Sequence, residues 1–348
     1  MQKVVRRVIN YKYTALQSDM LREGAVVDFD CYIKRFNNYV IILEAGTLIT
    51  AELAAKLKRV EKIYIAIHDT DKMRGYIERY GLREMSAVPN PLRSVQEMIP
   101  SVMRLNETLQ QCETFENQLR SVYQTTSELM EAIFFERSET LPLSALNACV
   151  DALVHCLNRD ESDVMPIILR IIPEAYTTHH HSTNVAIFSI ILGRSTGLTK
   201  ESLNEVAYAG LLHDIGKMRI EESILVKPTY LEEEEVEQMQ QHSNFGWKIL
   251  QNNKIANPKI LDAVHYHHEK LDGQGYPARL RGKMIPKLAR IIGMCDVFDA
   301  LTTQRTFRSN YTSYEALIVI KQQMADQFDE YYTDTFIRLL GSSRKIGK

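Results

Sequence analysis

AGLLHDIGK, residues 209–217, decides how this chain is read. Leu203, Val206, Gly210 and Leu211 recur at helical spacing behind a start near Thr199, so a helix closes on the adjacent pair His213-Asp214. At a helix end both side chains of such a pair reach inward. Upstream, His181 opens a helix whose Val185, Phe188 and Leu192 form an apolar stripe, which puts His181 on the core-facing side. Downstream, Thr229-Tyr230-Leu231-Glu232 fits a capping box, and Glu232 to Glu235 complement the positive end of a helix carrying His242 on the face of Met239 and Phe245. Ile260, Val264, His267 and His268 then share one helical face, while His265 points elsewhere. Asp296 lies beside the stripe Leu288, Ile292 and Cys295 in RIIGMCDVFDAL, where a buried carboxylate needs a cation to offset its desolvation.

Of the ten histidines, eight fall between His179 and His268, and only His68 and His155 lie outside. Five inward imidazoles and two carboxylates on successive helices predict a metal site. Nitrogen and carboxylate oxygen without thiolate suit iron, manganese, zinc or nickel, and fit neither calcium nor a Cys-rich zinc centre. Seven ligands exceed what one ion needs. Two ions sharing Asp214 would keep positions open for a bridging hydroxide and a substrate oxygen, an arrangement suited to displacement at phosphorus.

Around this core the chain divides. Its 348 residues and 45% hydrophobic content suffice for two cores. Lys plus Arg is 42 against 44 for Asp plus Glu, a net charge of −2, so no global positive field recruits a DNA or RNA polymer or an anionic membrane. The longest apolar run, Val185 to Leu192, is too short to insert in a bilayer, and the basic N-terminus leads into no signal-peptide core, which predicts a cytoplasmic protein. Five cysteines without CxxC spacing read as buried hydrophobes in a reducing compartment.

The expected class is α+β. Residues 1–90 form a small mixed α/β domain, residues 91–140 a helical linker, and residues 141–348 an all-α domain. Strands are expected at Val4 to Ile9, Val26 to Ile33, Tyr39 to Leu43 and Ile63 to Ile67, with a hairpin at Arg35 to Asn38 and a helix after Thr50. Prolines at 89 and 91 punctuate the boundary, and none occurs from Ser101 to Thr140, which predicts one long helix. Its apolar positions Leu105, Leu109, Phe115, Leu119 and Val122 serve either packing against the neighbouring domain or a homodimer seam over residues 95–137.

From about Thr177 to Gly341 the sequence resembles the HD-GYP phosphodiesterases, a bacterial branch of the HD superfamily that degrades cyclic di-GMP. The resemblance rests on HHHSTNVA, HDIGK, LVKPTYLEEEEVEQMQQHSNFGWKIL, HHEKLDGQGYP, RIIGMCDVFDALTTQRTFR and FDEYYTDTFIRLLG, spaced blocks in the correct order. It implies metal ligands at His181, His213, Asp214, His242, His267, His268 and Asp296, the same seven that the helical faces select. It implies phosphate contacts from Lys217 and Arg305, and a ligand-facing loop at Gly275-Tyr276-Pro277. Asp272-Gly273 shapes that loop, since an Asp-Gly pair favours a tight turn. Some members hold a third ion through a glutamate four residues before the first ligand histidine. Here Thr177 stands at that position with His179 and His180 nearby, so two divalent ions, iron or manganese, are expected. Asp299 falls where some relatives carry a basic residue. The implied reaction is hydrolysis of cyclic di-GMP to pGpG, and on to GMP, by a metal-bridging hydroxide, with Asp214 and Lys217 as the catalytic pair. Two other readings stay open: an HD phosphohydrolase of another cyclic dinucleotide or nucleotide, and a cyclic di-GMP receptor with little turnover.

Overall fold

The hairpin forms: in the computed structural model, β2 (Cys31–Arg35) pairs antiparallel with β3 (Asn38–Leu43), with Arg35 opposite Asn38. Described are residues 13–16, 20–35, 38–57, 63–66, 69–80, 94–112, 114–158, 164–172, 178–225, 227, 231–303 and 311–341. The chain separates into two compact units, one of residues 1–92 and 226–230, the other of residues 93–225 and 231–348.

Among its described residues the first unit is a four-stranded sheet with two helices. β1 (Tyr13–Leu16), α1 (Ala51–Leu57), β4 (Ile63–Ala66) and α2 (Thr70–Arg79) join the hairpin in strand order β1-β4-β2-β3, every pair antiparallel. Thr50 caps α1 as expected, its hydroxyl accepting the Leu53 N–H at 3.2 Å. The strand expected over Val26 to Ile33 starts only at Cys31, and Val26 makes a single bridge to Leu48. Ahead of that strand the segment is tied across to residues 45–47: the Val27 N–H donates to the Thr47 carbonyl at 3.1 Å, and the Asp30 carboxylate accepts the Ala45 N–H at 2.7 Å. The strand expected at Val4 to Ile9 lies outside the described residues. Phe29, Ile49, Ile63, Ile65 and Met73 fill the core, and the Phe29 ring meets Tyr76 edge-on at 5.6 Å.

The described residues of the second unit form helices joined by loops, with no strand: α3 (Val95–Met103), α4 (Leu105–Gln111), α5 (Phe115–Glu136), α6 (Leu143–Leu157), α7 (Val164–Ile171), α8 (Thr178–Ser195), α9 (Lys200–Leu212), α10 (Glu222–Leu225), α11 (Glu233–Gln240), α12 (His242–Asn252), α13 (Pro258–Tyr266), α14 (Lys287–Thr302), α15 (Ser313–Gln323) and α16 (Glu330–Gly341). The single long helix expected after Ser101 is three. Arg104 breaks from helical geometry, Cys112 is extended, and Thr114 starts α5 afresh by capping Asn117, which is a stronger local signal than the mere lack of proline. Leu105, Leu109, Leu119 and Val122 are buried in the core of this same unit, so the stripe that suggested a dimer seam is taken up by internal packing. α8 lies at the centre, against α5, α6, α9, α14 and α16. Phe188, Phe298 and Phe336 meet edge-on at 4.9–5.8 Å and bind α16 to α8 and α14, each burial contributing roughly 1.5–3 kcal/mol. Among the described residues no helix is long and apolar enough to cross a membrane.

Candidate metal centre

Each of the seven expected ligands sits at a helix end or on a helix face turned to one point. His181 lies on the first turn of α8 and is buried. His213 ends α9, and Asp214 follows in the bridge region at φ −96°, ψ 3°, opening a 3₁₀ turn over Ile215–Arg219. His242 starts α12, a helix separate from α11. The cap of α11 is Glu232, boxed with Glu235, while the box expected at Thr229 lies outside the described residues. His267 and His268 fall just beyond α13 and not within it, and Asp296 projects from α14.

The seven fall into two groups of mutually close donor atoms: Asp214, His242, His267 and His268 in one, His181, His213 and Asp296 in the other. Asp214 faces both. Its Oδ1 lies 3.4 Å from His242 Nε2, while its Oδ2 lies 3.4 Å from His213 Nε2 and 3.7 Å from His181 Nε2. Asp296 spans them too, with Oδ1 3.1 Å from His181 Nε2 and Oδ2 3.7 Å from His268 Nδ1.

The imidazole tautomers are set from behind. Nδ1 of His213, His242 and His267 donates to the carbonyls of Gly210, Met239 and Val264 at 2.7–2.8 Å, and His181 Nδ1 donates to Asp299 Oδ2 at 2.7 Å. Each Nε2 therefore offers a lone pair toward the centre. His181 and His213 bring these atoms to 3.3 Å, as do His242 and His267. Two lone pairs at that distance repel unless a cation lies between them. Among the described residues Asp214 Oδ1 is buried and accepts no hydrogen bond, a second vacancy in the donor–acceptor balance. The donor set thus fits divalent metal. Burial lowers His242 to about 4 and His267 well below its ordinary value, keeping both in the neutral form that ligates. Burial pushes the Asp214 carboxyl up, but Lys217 and His213 outweigh it and hold it well below the usual range.

Two close approaches shape the surroundings. A Cβ on Gly216 would fall 1.9 Å from the His242 carbonyl oxygen, so only glycine lets the turn bearing Asp214 and Lys217 lie against α12. A Cβ on Gly275 would fall 2.4 Å from Glu269 Cα, so the loop folds back on its own start and stacks Tyr276 on His268, ring centroids 4.6 Å apart. Asp272 Oδ1 accepts the Gln274 N–H at 2.8 Å within the expected turn. Lys217 Nζ donates to Asp214 Oδ2, and Pro277 follows Tyr276 through a cis peptide bond. His265 stacks on Trp247 and pairs with Asn244, away from the cluster as expected. Arg305 and Thr177 lie outside the described residues.

Sequence reasoning missed the roles of two residues. Asp299 orients His181, and its signal was its place one turn after Asp296 on the same helix face. Glu269 is buried and accepts the N–H groups of Ala278 and Leu280 at 2.6 and 2.9 Å, bracing the Tyr276 loop. Its signal was faint, a glutamate beside two histidines.

A helical domain whose histidines and aspartates converge from successive helices on a paired donor set defines an HD-type domain, and residues 164–331 match the family described as HD domain. A cyclic di-GMP phosphodiesterase of Pseudomonas aeruginosa is 34% identical over 167 residues, 47% of this chain and 39% of that protein. A 3′3′-cGAMP-specific phosphodiesterase of Vibrio cholerae is 34% identical over 164 residues, 47% of this chain and 31% of that protein. The chain thus spans about two fifths or less of the length of these relatives. The fold is similar to that of Bd1817, an HDG"Y"P protein from Bdellovibrio bacteriovorus, with TM-score 0.50 at 18% identity over 94% of this chain and 99% of that one. The matched residues 164–331 contain all seven metal-centre side chains.

Proposed function

We propose that the chain is a cytoplasmic, metal-dependent phosphodiesterase that hydrolyses cyclic di-GMP to pGpG and on to GMP. The observation that carries this reading is the pair of ligand groups meeting at Asp214, beside a loop that holds Tyr276 over His268. His181, His213 and Asp296 would hold one ion and His242, His267 and His268 the other, with Asp214 shared. Iron and manganese suit this mixture of imidazole and carboxylate. Bound, such ions supply Lewis acidity and bring the pKa of water toward neutrality.

The chain's own residues do the rest. Lys217 keeps a cation beside Asp214, where it offsets charge developing on a phosphoryl oxygen. Tyr276 offers a ring face to a purine, and burial raises its phenol pKa, so it stays a neutral donor. Gly275 and Pro277 hold that ring in place, and Arg305 supplies a second phosphate contact on the strength of its sequence position. A second reading, 3′3′-cGAMP as substrate, is favoured by the equal identity to the Vibrio cholerae enzyme.

The test is metal analysis on anaerobically purified protein, followed by incubation with each cyclic dinucleotide and chromatography of the products. Metal together with pGpG or GMP supports the reading. Metal with tight binding and no product points instead to a receptor, and turnover of 3′3′-cGAMP alone moves the assignment to the second substrate.

A further inference from the structure

α5 precedes the matched HD domain in sequence, yet a line of buried hydrogen bonds runs from it to a metal ligand. Tyr123, on α5, has its hydroxyl 2.9 Å from Asn184 Oδ1 on α8. Asn184 Nδ2 donates to Asp299 Oδ1 on α14 at 2.9 Å, and Asp299 Oδ2 accepts from His181 Nδ1 at 2.7 Å. All four side chains are 5% exposed or less. We propose that Tyr123 is a positioning residue of the metal centre, acting on His181 through Asn184 and Asp299. The inference rests on the metal-centre reading above.

The order of donors along the line is forced. Asp299 accepts at both oxygens, so Asn184 must turn its NH₂ toward it. That leaves the Asn184 carbonyl facing Tyr123, which therefore donates. The phenol holds the amide, the amide holds one carboxylate oxygen, and the other oxygen fixes the tautomer and ring plane of His181. The four side chains are buried away from bulk solvent, so loss of the hydroxyl orphans a buried carbonyl and slackens the support of Asp299. α5 touches the site twice more. The Tyr123 ring stacks on His180 with centroids 6.1 Å apart, next to the ligand itself. Arg137, just past the helix, donates to the carbonyls of Met218 and Ile220 at 3.1 and 2.8 Å, beside Lys217.

The experiment compares the full chain with Tyr123→Phe, Asn184→Ser, the double variant, and Val122→Ala as a control. Val122 is a buried neighbour on α5 with no part in the polar line. Each protein is loaded with Mn²⁺, and release to a chelator is followed by atomic emission beside a melting curve. Direct loss of a metal ligand's orienting partner typically weakens binding ~10–100-fold, so Tyr123→Phe, two bonds further out, should release one ion ~3–10-fold faster and leave the other unchanged. Asn184→Ser should release that same ion faster still, and adding Tyr123→Phe to it should change nothing more. Val122→Ala should lower the melting temperature and leave both release rates alone. The proposal is overturned if Tyr123→Phe releases both ions at wild-type rates, if Val122→Ala reproduces its release, or if the two substitutions add. A wild-type chain that takes up neither Mn²⁺ nor, under anaerobic conditions, Fe²⁺ overturns the metal reading and this inference with it, and is told apart because the failure appears before any substitution.

Discussion

Gly216→Ala is the sharpest test of how the centre is assembled, because the added methyl has nowhere to go. Its Cβ would lie 1.9 Å from the His242 carbonyl oxygen and 2.4 Å from the Gly246 amide nitrogen. Both neighbours are backbone atoms of α12, so no side chain can rotate away. Ordinary contact needs the 3₁₀ turn to retreat by ~1.5 Å. Overpacking of a core costs ~1–3 kcal/mol, and a backbone clash belongs at the upper end. For a unit of this size ~3 kcal/mol lowers the melting temperature by roughly 6–12 °C. The retreat also carries Asp214 away from His242, whose Nε2 now lies 3.4 Å from Asp214 Oδ1. Bound metal, counted by atomic emission, is expected to fall together with the melting temperature seen in calorimetry. A variant that melts within about 1 °C of wild type and keeps all its metal would refute the close packing of this turn on α12.

Three further outcomes are expected. His267→Ala loses metal and phosphodiesterase activity together, whereas Lys217→Ala keeps its metal and loses turnover; atomic emission beside product chromatography separates the two, and retention of full activity in both would sink the site assignment. Glu269→Ala removes the acceptor of two part-buried N–H groups and loosens the Tyr276 loop, so KM for the cyclic dinucleotide should rise while metal content holds. Burial pushes the Glu131 carboxyl up to about 7, with Glu128 adding to it. Between the unfolded value of ~4.3 and 7 the folded chain keeps a proton that the unfolded chain has released, so stability falls as pH rises through that window, on the order of 1–3 kcal/mol. Glu131→Gln removes the loss: its melting temperature should exceed that of wild type at pH ~8 and approach it near pH ~4.5, and an equal gap at both pH values would contradict the assigned cause.

Much of the site is legible in the sequence because helices repeat. His181 with Val185 and Phe188, or Val264 with His267 and His268, declare a buried face through spacing alone, and a polar residue on such a face asks for a partner. The breaks between α3, α4 and α5 were hidden for the opposite reason. A lack of proline permits a helix without requiring one, and the competing cap at Thr114 is a local signal that composition does not weigh. The strand expected from Val26 starts only at Cys31, since the residues before it bond across to residues 45–47, contacts that local sequence does not display.

By itself the sequence determined which residue types lie on which helical faces, and so which seven side chains are candidate ligands, since period and burial are properties of a single helix. Only the tertiary structure decided how those seven divide into two groups, that Asp214 turns one oxygen to each, and that Asp299 and Asn184 stand behind His181. These are relations between helices far apart in the chain. They depend on packing, on the absence of a Cβ at Gly216, and on hydrogen bonds whose direction is fixed once every neighbour is in place.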